Sequence, residues 1–586
     1  MEYELRILLR QRGPSPAASS AQKSVSGARS LLGIGIPQSM TKLTVFDYII
    51  VGSGSAGSTL AGRLSEDSDR SVLLIEAGPR DKSIYIQMPA ALGVPLTSDR
   101  FNWYYHSEPD PYVENRHIYE ARGRVLGGSS SINGMNWVRG NAWDYDNWAS
   151  QGLKGWSYSD CLSYFKRAET FHKGTSAYRG GSGPMKIETC PAEGEFFRAF
   201  LEAGMQAGFG HVDDHNAFSQ EGMHITQRNV HNGVRWSTSR AYIHEAGPRP
   251  NLTVLTDTRV TTLEFSNKRA VRIHCLTKAG PLGFEVGREL VIAAGAINTP
   301  QLLMLSGIGD ADDLQRLSIP VRVHLPGVGR NLTDHVAASV QYLARGNFSI
   351  ASKLGSLGRA RIAAQWILFK NGLGTTNFFE TGAFIRTDDR IKVPNLQYEF
   401  IPVVGDFQHG SLAFKNGFQY FFALMRPTSR GRVWIDSADP MAPPKFVFNY
   451  LSTEEDRREA VAAVKLTRNI VAQPAWNQFR DREVLPGPDV ASDEEILLHL
   501  RRNVGTQYHP CCSCRMGHDE LSVVDETGRV HETDNLRIVD ASIMPNIVTG
   551  NLNAPVIMMA EKLSDSLRGR PPPPRDAAPY QKLGFD

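Results

Sequence analysis

Two groups of residues have the types and spacing that chemistry needs. The first is Gly52, Gly54 and Gly57, a G-x-G-x-x-G run with Glu76 nineteen residues beyond its last glycine. In that pattern the first glycine permits a tight turn, the second lets the main chain approach a pyrophosphate, and the third lets a helix pack closely on a strand. Free N–H groups and partial positive charge at a helix N-terminus then favour phosphate. Glu76 is placed to accept hydrogen bonds from adenosine ribose hydroxyls, and Ser53, Ser55, Ala56 and Ala77 complete the expected contact. A dinucleotide follows; the fingerprint does not separate FAD from NAD. The second group is His509, Cys511, Cys512, Cys514 and His518, all within ten residues. Cys511 and Cys514 have C-x-x-C spacing and flanking histidines, which suits zinc or dithiol chemistry. Structural zinc sites, however, usually draw ligand pairs from two chain segments. Small buried thiols are the simpler reading, and no metal is expected. His509 is a natural proton acceptor near neutral pH, although a single histidine among 16 is most often structural.

These residues need elements to position them. Residues 46–51 form a short apolar run ending in glycines and read as a buried strand. Leu60, Ala61 and Leu64 share a helical face, and residues 72–75 are a second apolar run, so a strand–helix–strand unit closes within about 30 residues. Residues 289–294 and 536–539 repeat the buried-strand pattern, each with a helical stretch after it, at 299–305 and 554–567. The expected fold is α/β: a Rossmann-like nucleotide-binding domain assembled from discontinuous segments. Residues 395–403, 417–425 and 433–436 alternate or carry many aromatics, as antiparallel strands do, which predicts a second, α+β substrate domain. The expected boundaries are 41–170, 226–335 and 506–568 for the first domain, with 171–225 and 336–505 for the second.

The ends are read as appendages. Residues 1–40 are rich in Ser, Ala and Arg and form a disordered or organelle-targeting tail, or an extension before a true start at Met40. Pro571 opens a proline run that cannot continue a helix, so 569–586 is expected to be a disordered, solvated tail. The chain has 586 residues, 41% hydrophobic and 21% charged, which is enough for a large core. Its 64 basic and 61 acidic side chains give +3. That leaves no global field for nucleic acid. Six cysteines are too sparse for a disulfide scaffold, favouring a reducing, cytoplasmic setting. No apolar run reaches the roughly 18 residues of a bilayer span.

The loop 122–135, Arg-Gly-Arg-Val-Leu-Gly-Gly-Ser-Ser-Ser-Ile-Asn-Gly-Met, suits a backbone lying against a flat ring or phosphate. Here the chain resembles the glucose-methanol-choline oxidoreductases, FAD enzymes that oxidise alcohols, and this loop looks like their first signature. Residues 295–309 resemble the second, and the likeness continues through 327–335, Tyr508-His509-Pro510, 540–545 and 550–555. It implies FAD, with contacts at Arg124, Gly127, Gly128, Asn133, Gly134, Val260, Asp540, Ala541, Asn551 and Pro555 beside those of the fingerprint. Members that anchor the flavin covalently do so through a histidine where this chain has Ile132, so a noncovalent flavin is expected. The resemblance makes His509 the proton acceptor and Asn553 its amide partner on the substrate oxygen.

The stretch 377–386 looks like the segment in which choline-oxidising members place a carboxylate facing the trimethylammonium group. Glu380 is the matching residue, with Phe379 and Tyr508 as aromatic neighbours. A quaternary ammonium has no N–H to donate, so an anion and aromatic faces are what can hold it. Phe421 departs from the pattern, standing where those members commonly carry a histidine. The expected reaction is choline to betaine aldehyde, with an uncharged aliphatic or aromatic alcohol as alternative and a lyase reaction on the same fold as a third. The expected partners are an alcohol and a quinone or other electron acceptor, with peripheral contact at the inner face of a membrane and oligomeric state left open.

Overall fold

The computed structural model describes residues 44–405 and 414–584; the expected tail over 1–40 lies outside them. The strand–helix–strand unit is Val45–Val51, Ser55–Leu64 and Val72–Ile75. The two strands pair in parallel, Ile49 opposite Leu73 and Val51 opposite Ile75. Leu252–Leu255 adds beside the second strand and Gly280–Ile292 beside the first, both parallel. Leu536–Ile538 joins the far side of Gly280–Ile292. Strands from three distant segments therefore build one sheet, as the repeated apolar runs predict.

Gly280–Ile292 is longer than its apolar run. Its first half pairs antiparallel with Arg269–Thr277, which pairs in turn with Thr258–Ser266. These stretches are half-exposed and so give no continuous apolar signal. Helices Ser55–Leu64 and Asn553–Arg568 pack on each other against this sheet. Ile49, Leu60, Leu290, Ile538 and Met558 are fully buried in their shared core.

The second large sheet is antiparallel throughout. Its order is Arg480–Leu485, Val336–Ala344, Gly417–Leu424, Leu396–Ile401, Thr381–Ile385 and Gly222–Ile225. Its core is aromatic: Phe418 stacks on Trp476 with centroids 3.9 Å apart, and Phe400 and Tyr420 pack around them. Arg432–Trp434 pairs with Lys445–Val447 in a separate ribbon. Among the described residues, no helix is long and apolar enough to cross a membrane.

The C-terminal tail is extended, as its prolines require, but it is not loose. Asp576 pairs with Lys166 at 2.9 Å, the Tyr580 hydroxyl donates to Asp146 at 2.9 Å, and the Tyr580 ring packs edge-on against Tyr158. The Pro574 carbonyl accepts from the Ser163 hydroxyl at 3.3 Å, and the polar and aromatic residues after the proline run supply the other anchors.

Candidate active site

A cavity of about 720 Å³ lies between the carboxyl ends of the parallel strands and one face of the antiparallel sheet. Val51, Gly52, Glu76 and Ala293 to Asn298 line it from the first, and Ser339, Gln341, Glu399, Gln419 and Phe421 from the second. The crevice outside the strand ends is where open α/β sheets bind ligands.

The glycines divide by what a side chain would meet. A Cβ on Gly57 would sit 1.9 Å from the Gly52 carbonyl oxygen, and one on Gly52 2.5 Å from the Ala293 oxygen. Both positions are closed by the protein's own packing. A Cβ on Gly54 would meet nothing within 4 Å, so its bareness serves whatever lies in the cavity. Glu76 is fixed for the same purpose: one carboxylate oxygen accepts from the Ser53 N–H and hydroxyl, at 3.1 and 2.6 Å, and the other from the Gly78 N–H. Asp540 accepts from the Gly295 N–H at 2.9 Å and the Thr299 hydroxyl at 2.6 Å, tying a strand end to the Gly295–Leu305 helix. Asn553 opens the last helix on the cavity wall; its Oδ1 accepts from the Ser55 hydroxyl and its buried Nδ2 has no partner among the described residues. A bare glycine turn, a held acid and an orphaned donor on one cavity fit a dinucleotide with a polar ring edge.

His509 projects into the same space from a strained turn. Tyr508 before it has φ of 65°, the left-handed region that costs a non-glycine residue roughly 1–3 kcal/mol. The turn is held from three sides: Thr506 accepts from the Tyr508 N–H at 2.6 Å, Arg122 donates to the Tyr508 carbonyl at 2.6 Å, and Asp334 accepts from the His509 N–H at 2.7 Å. The imidazole Nδ1 faces Nδ1 of His335 at 2.9 Å, and its Nε2 faces the Asn551 amide at 3.4 Å. Burial, then the His335 ring and Arg122, hold His509 well below the usual histidine range. It is therefore neutral at neutral pH and able to take a proton.

Two sequence expectations require correction here. The amide beside the imidazole is that of Asn551; Asn553, two residues on, begins the helix and turns toward Ser55 instead. Glu380 does not line the cavity. Its oxygens accept from the Ala192 N–H at 2.9 Å and the Thr376 hydroxyl at 2.5 Å, with the Arg228 guanidinium 4.0 Å away. Successive side chains of an extended segment point to opposite sides, so Phe379 enters the cavity and Glu380 leaves it.

On the antiparallel-sheet side the carboxylate that lines the cavity is Glu399, directly across the strand pair from Phe421. One oxygen accepts from the Asn136 amide at 2.5 Å and the Asn551 amide at 3.3 Å. Burial pushes this carboxyl above its usual range, opposed by the side-chain hydrogen bonds of Asn551, Asn136 and Gln507. Since contacts of 3.3 and 3.4 Å share the Asn551 nitrogen, Glu399 lies within about 6.7 Å of His509 Nε2. Glu399 stands between the core aromatics Tyr398 and Phe400 of a wholly buried strand, and the register across to Phe421 reveals that it faces the site.

Of the other expected cofactor contacts, Ser55, Ala56, Ala77, Gly128, Asn133, Gly134, Val260 and Ala541 line the cavity, as does Tyr508, expected on the substrate side. Ser53, Gly57, Gly127, Arg124 and Pro555 stand behind it; Arg124 instead donates to the Asp99 carbonyl. Cys511, Cys512 and Cys514 are fully buried. Burial raises the Cys511 and Cys514 thiols far above their usual range, and such thiols are inert.

Residues 46–337 and 427–560 match the two profiles of the family described as GMC oxidoreductase. A protein of Stenotrophomonas maltophilia (strain K279a) named oxygen-dependent choline dehydrogenase is 48% identical over 544 residues, covering 92% of this chain and 97% of its own. Among solved structures, pyridoxine 4-oxidase from Mesorbium loti superposes with a TM-score of 0.79 at 31% identity, over 90% of this chain and 99% of its own. An FAD-dependent oxidoreductase from Chaetomium thermophilum gives 0.81 at 25% identity, over 89% and 99%. With the nucleotide cradle, the histidine turn and these matches in agreement, this chain belongs to the GMC oxidoreductase family.

Proposed function

We propose that the protein binds FAD noncovalently and oxidises a primary alcohol, choline, to its aldehyde. The observation that carries this reading is a neutral, cavity-facing His509 backed by His335 and flanked by Asn551 and Glu399. FAD, when bound, supplies the acceptor for the carbinol hydride. Gly52, Gly54 and Glu76 would hold its adenosine end, and Asn553 and Ala541 would face its ring end.

The proton is handled by the chain itself. With two Nδ1 atoms 2.9 Å apart, one ring must donate and the other accept. A His509 that donates from Nδ1–H to His335 Nδ1 keeps its Nε2 lone pair toward the cavity as base for the alcohol proton, and this is the tautomer the reading requires. The Asn551 amide orients the same oxygen.

For the trimethylammonium group the available anion is Glu399, with Phe379, Phe421 and Tyr508 as aromatic walls. A choline hydroxyl at His509 Nε2 puts the cationic end one short two-carbon link away, on the scale of the Glu399 separation. The relatives' name favours molecular oxygen as electron acceptor; a quinone is the alternative. An uncharged alcohol is the second reading, supported by Glu380 being paired with Arg228 and by the apolar face of Phe421.

The test is an anaerobic screen of the flavoprotein over choline, betaine aldehyde, short alkanols, benzyl alcohol and sugars. Rapid loss of flavin colour with choline supports the reading. Reduction by benzyl alcohol or alkanols but not choline moves it to the uncharged class, and reduction by none removes it.

A further inference from the structure

We propose that the outward face of the Ser356–Phe369 helix docks on the surface of an anionic lipid bilayer. This helix is apolar nearly all round, a composition normally found buried, yet only Trp366 is buried within it. Trp366 fastens the inner side, donating its indole N–H to the Gly233 carbonyl. On the outer side Leu357 is 89% exposed, Leu368 70%, Phe369 67% and Ile367 50%. Leu357, Arg361, Ala364 and Leu368 follow the i, i+4, i+7, i+11 spacing of one face. Exposed apolar side chains clustered in this way around a basic one mark an interaction site.

Charge selects the occupant. Residues 346–379 contain Lys353, Arg359, Arg361 and Lys370 and not one Asp or Glu. Lys353, Arg361 and Lys370 are exposed. A second copy meeting this face about a two-fold axis would bring two uncompensated basic surfaces together. An anionic leaflet instead attracts each cation while the leucines and Phe369 enter the acyl boundary.

The patch extends toward the active site. The Gly372–Thr375 turn after the helix packs on Pro89–Ala91. Beside that turn, Tyr85 and Val94 are further exposed apolar residues, and Leu92, Gly93 and Leu96 line the cavity. One wall of the cavity would thus lie at the lipid surface, the side from which a lipid-soluble electron acceptor arrives. This last clause rests on the proposed oxidation; the docking itself does not.

The test is flotation of the full-length holoprotein with phosphatidylcholine vesicles, with or without an equal share of phosphatidylglycerol, at low and high salt. The expected result is association with the anionic vesicles at least about tenfold above the neutral ones, weakened by salt. Leu357→Ser with Leu368→Ser should lose about tenfold or more of it while the flavin spectrum is kept. Arg361→Glu with Lys370→Glu serves the same purpose if the first variant misfolds. Absence of anionic preference, binding untouched by both variants, or a dimer that these substitutions turn into monomer without any vesicle association would each overturn the proposal.

Discussion

Nδ1 of His335 lies 2.9 Å from Nδ1 of His509, with the two ring planes nearly perpendicular. His335 is out of reach of the cavity, so its effect passes through the other ring. In the proposed mechanism it is a positioning residue that fixes the tautomer of His509. Replacing it with Ala frees His509 Nδ1 from its acceptor and lets the lone pair face the wrong side. Turnover should fall about 10- to 100-fold, the usual cost of losing an orienting partner, with little change in KM. Gln keeps an acceptor and should recover part of the rate. Steady-state kinetics across pH check this: a merely structural role would leave the shape of the profile unchanged.

Asn551 and Asn553 separate the two jobs that the Asn-Leu-Asn run could hide. Asn551→Ala removes the amide beside His509 and should lower turnover about 10- to 100-fold while flavin stays bound. Asn553→Ala removes a donor from the cofactor side, so it should weaken flavin retention more than the chemistry. Flavin content by absorbance, measured beside turnover per flavin, distinguishes them.

Glu399→Gln should raise KM for choline at least about tenfold more than for its uncharged carbon analogue 3,3-dimethylbutan-1-ol, because loss of an anion facing a cation costs more than 1.4 kcal/mol in a desolvated site. Glu380→Gln should not discriminate between the two substrates; breaking its pairing with Arg228 should appear in thermal stability instead. Equal effects of Glu399→Gln on both substrates would leave the cation without its proposed partner.

Gly54→Ala and Gly57→Ala look alike in the sequence and differ in three dimensions. The first adds a methyl into open space and should give a folded protein that holds flavin poorly. The second drives a Cβ to 1.9 Å from the Gly52 oxygen and should fail to fold. Soluble yield and flavin content read out both.

Acid should unfold the protein through its buried histidines. Burial lowers His335 to about 3 and His215 to about 4, and His224 and His509 are pushed down as well. A folded value below the unfolded one, near 6.5, means that unfolding takes up protons. The stabilising contribution is complete above about pH 6.5 and is lost as pH falls toward the folded values, by up to about 1.4 kcal/mol per pH unit for each histidine. Melting temperature should therefore decline between pH 6.5 and 4.5. A flat profile there would mean that these rings are not buried neutral.

What could be read from the chain followed the physics of each signal. The parallel strands were legible because both faces are covered, leaving unbroken apolar runs such as 72–75. Strands 258–266 and 269–277 were not, since half-exposed faces mix their composition. Gly52 and Gly57 were legible because the protein's own backbone leaves no room for a side chain there, and Gly54 by its place between them. The amide of Asn551 was missed by two residues, because the turn into the last helix decides which Asn faces His509. Glu399 was missed because its direction depends on pairing across from Phe421, a contact between strands about 20 residues apart. Glu380 was misread for a related reason: a carboxylate near an aromatic pair does not say on which side of the chain it emerges.

The most direct test of the central claim is the rate at which choline reduces the bound flavin without oxygen, in the native protein and in His509→Ala. Rapid bleaching is expected in the first. In the second, the flavin should stay yellow and bound, with reduction at least about 100-fold slower. A His509→Ala protein bleached by choline at the native rate would contradict it.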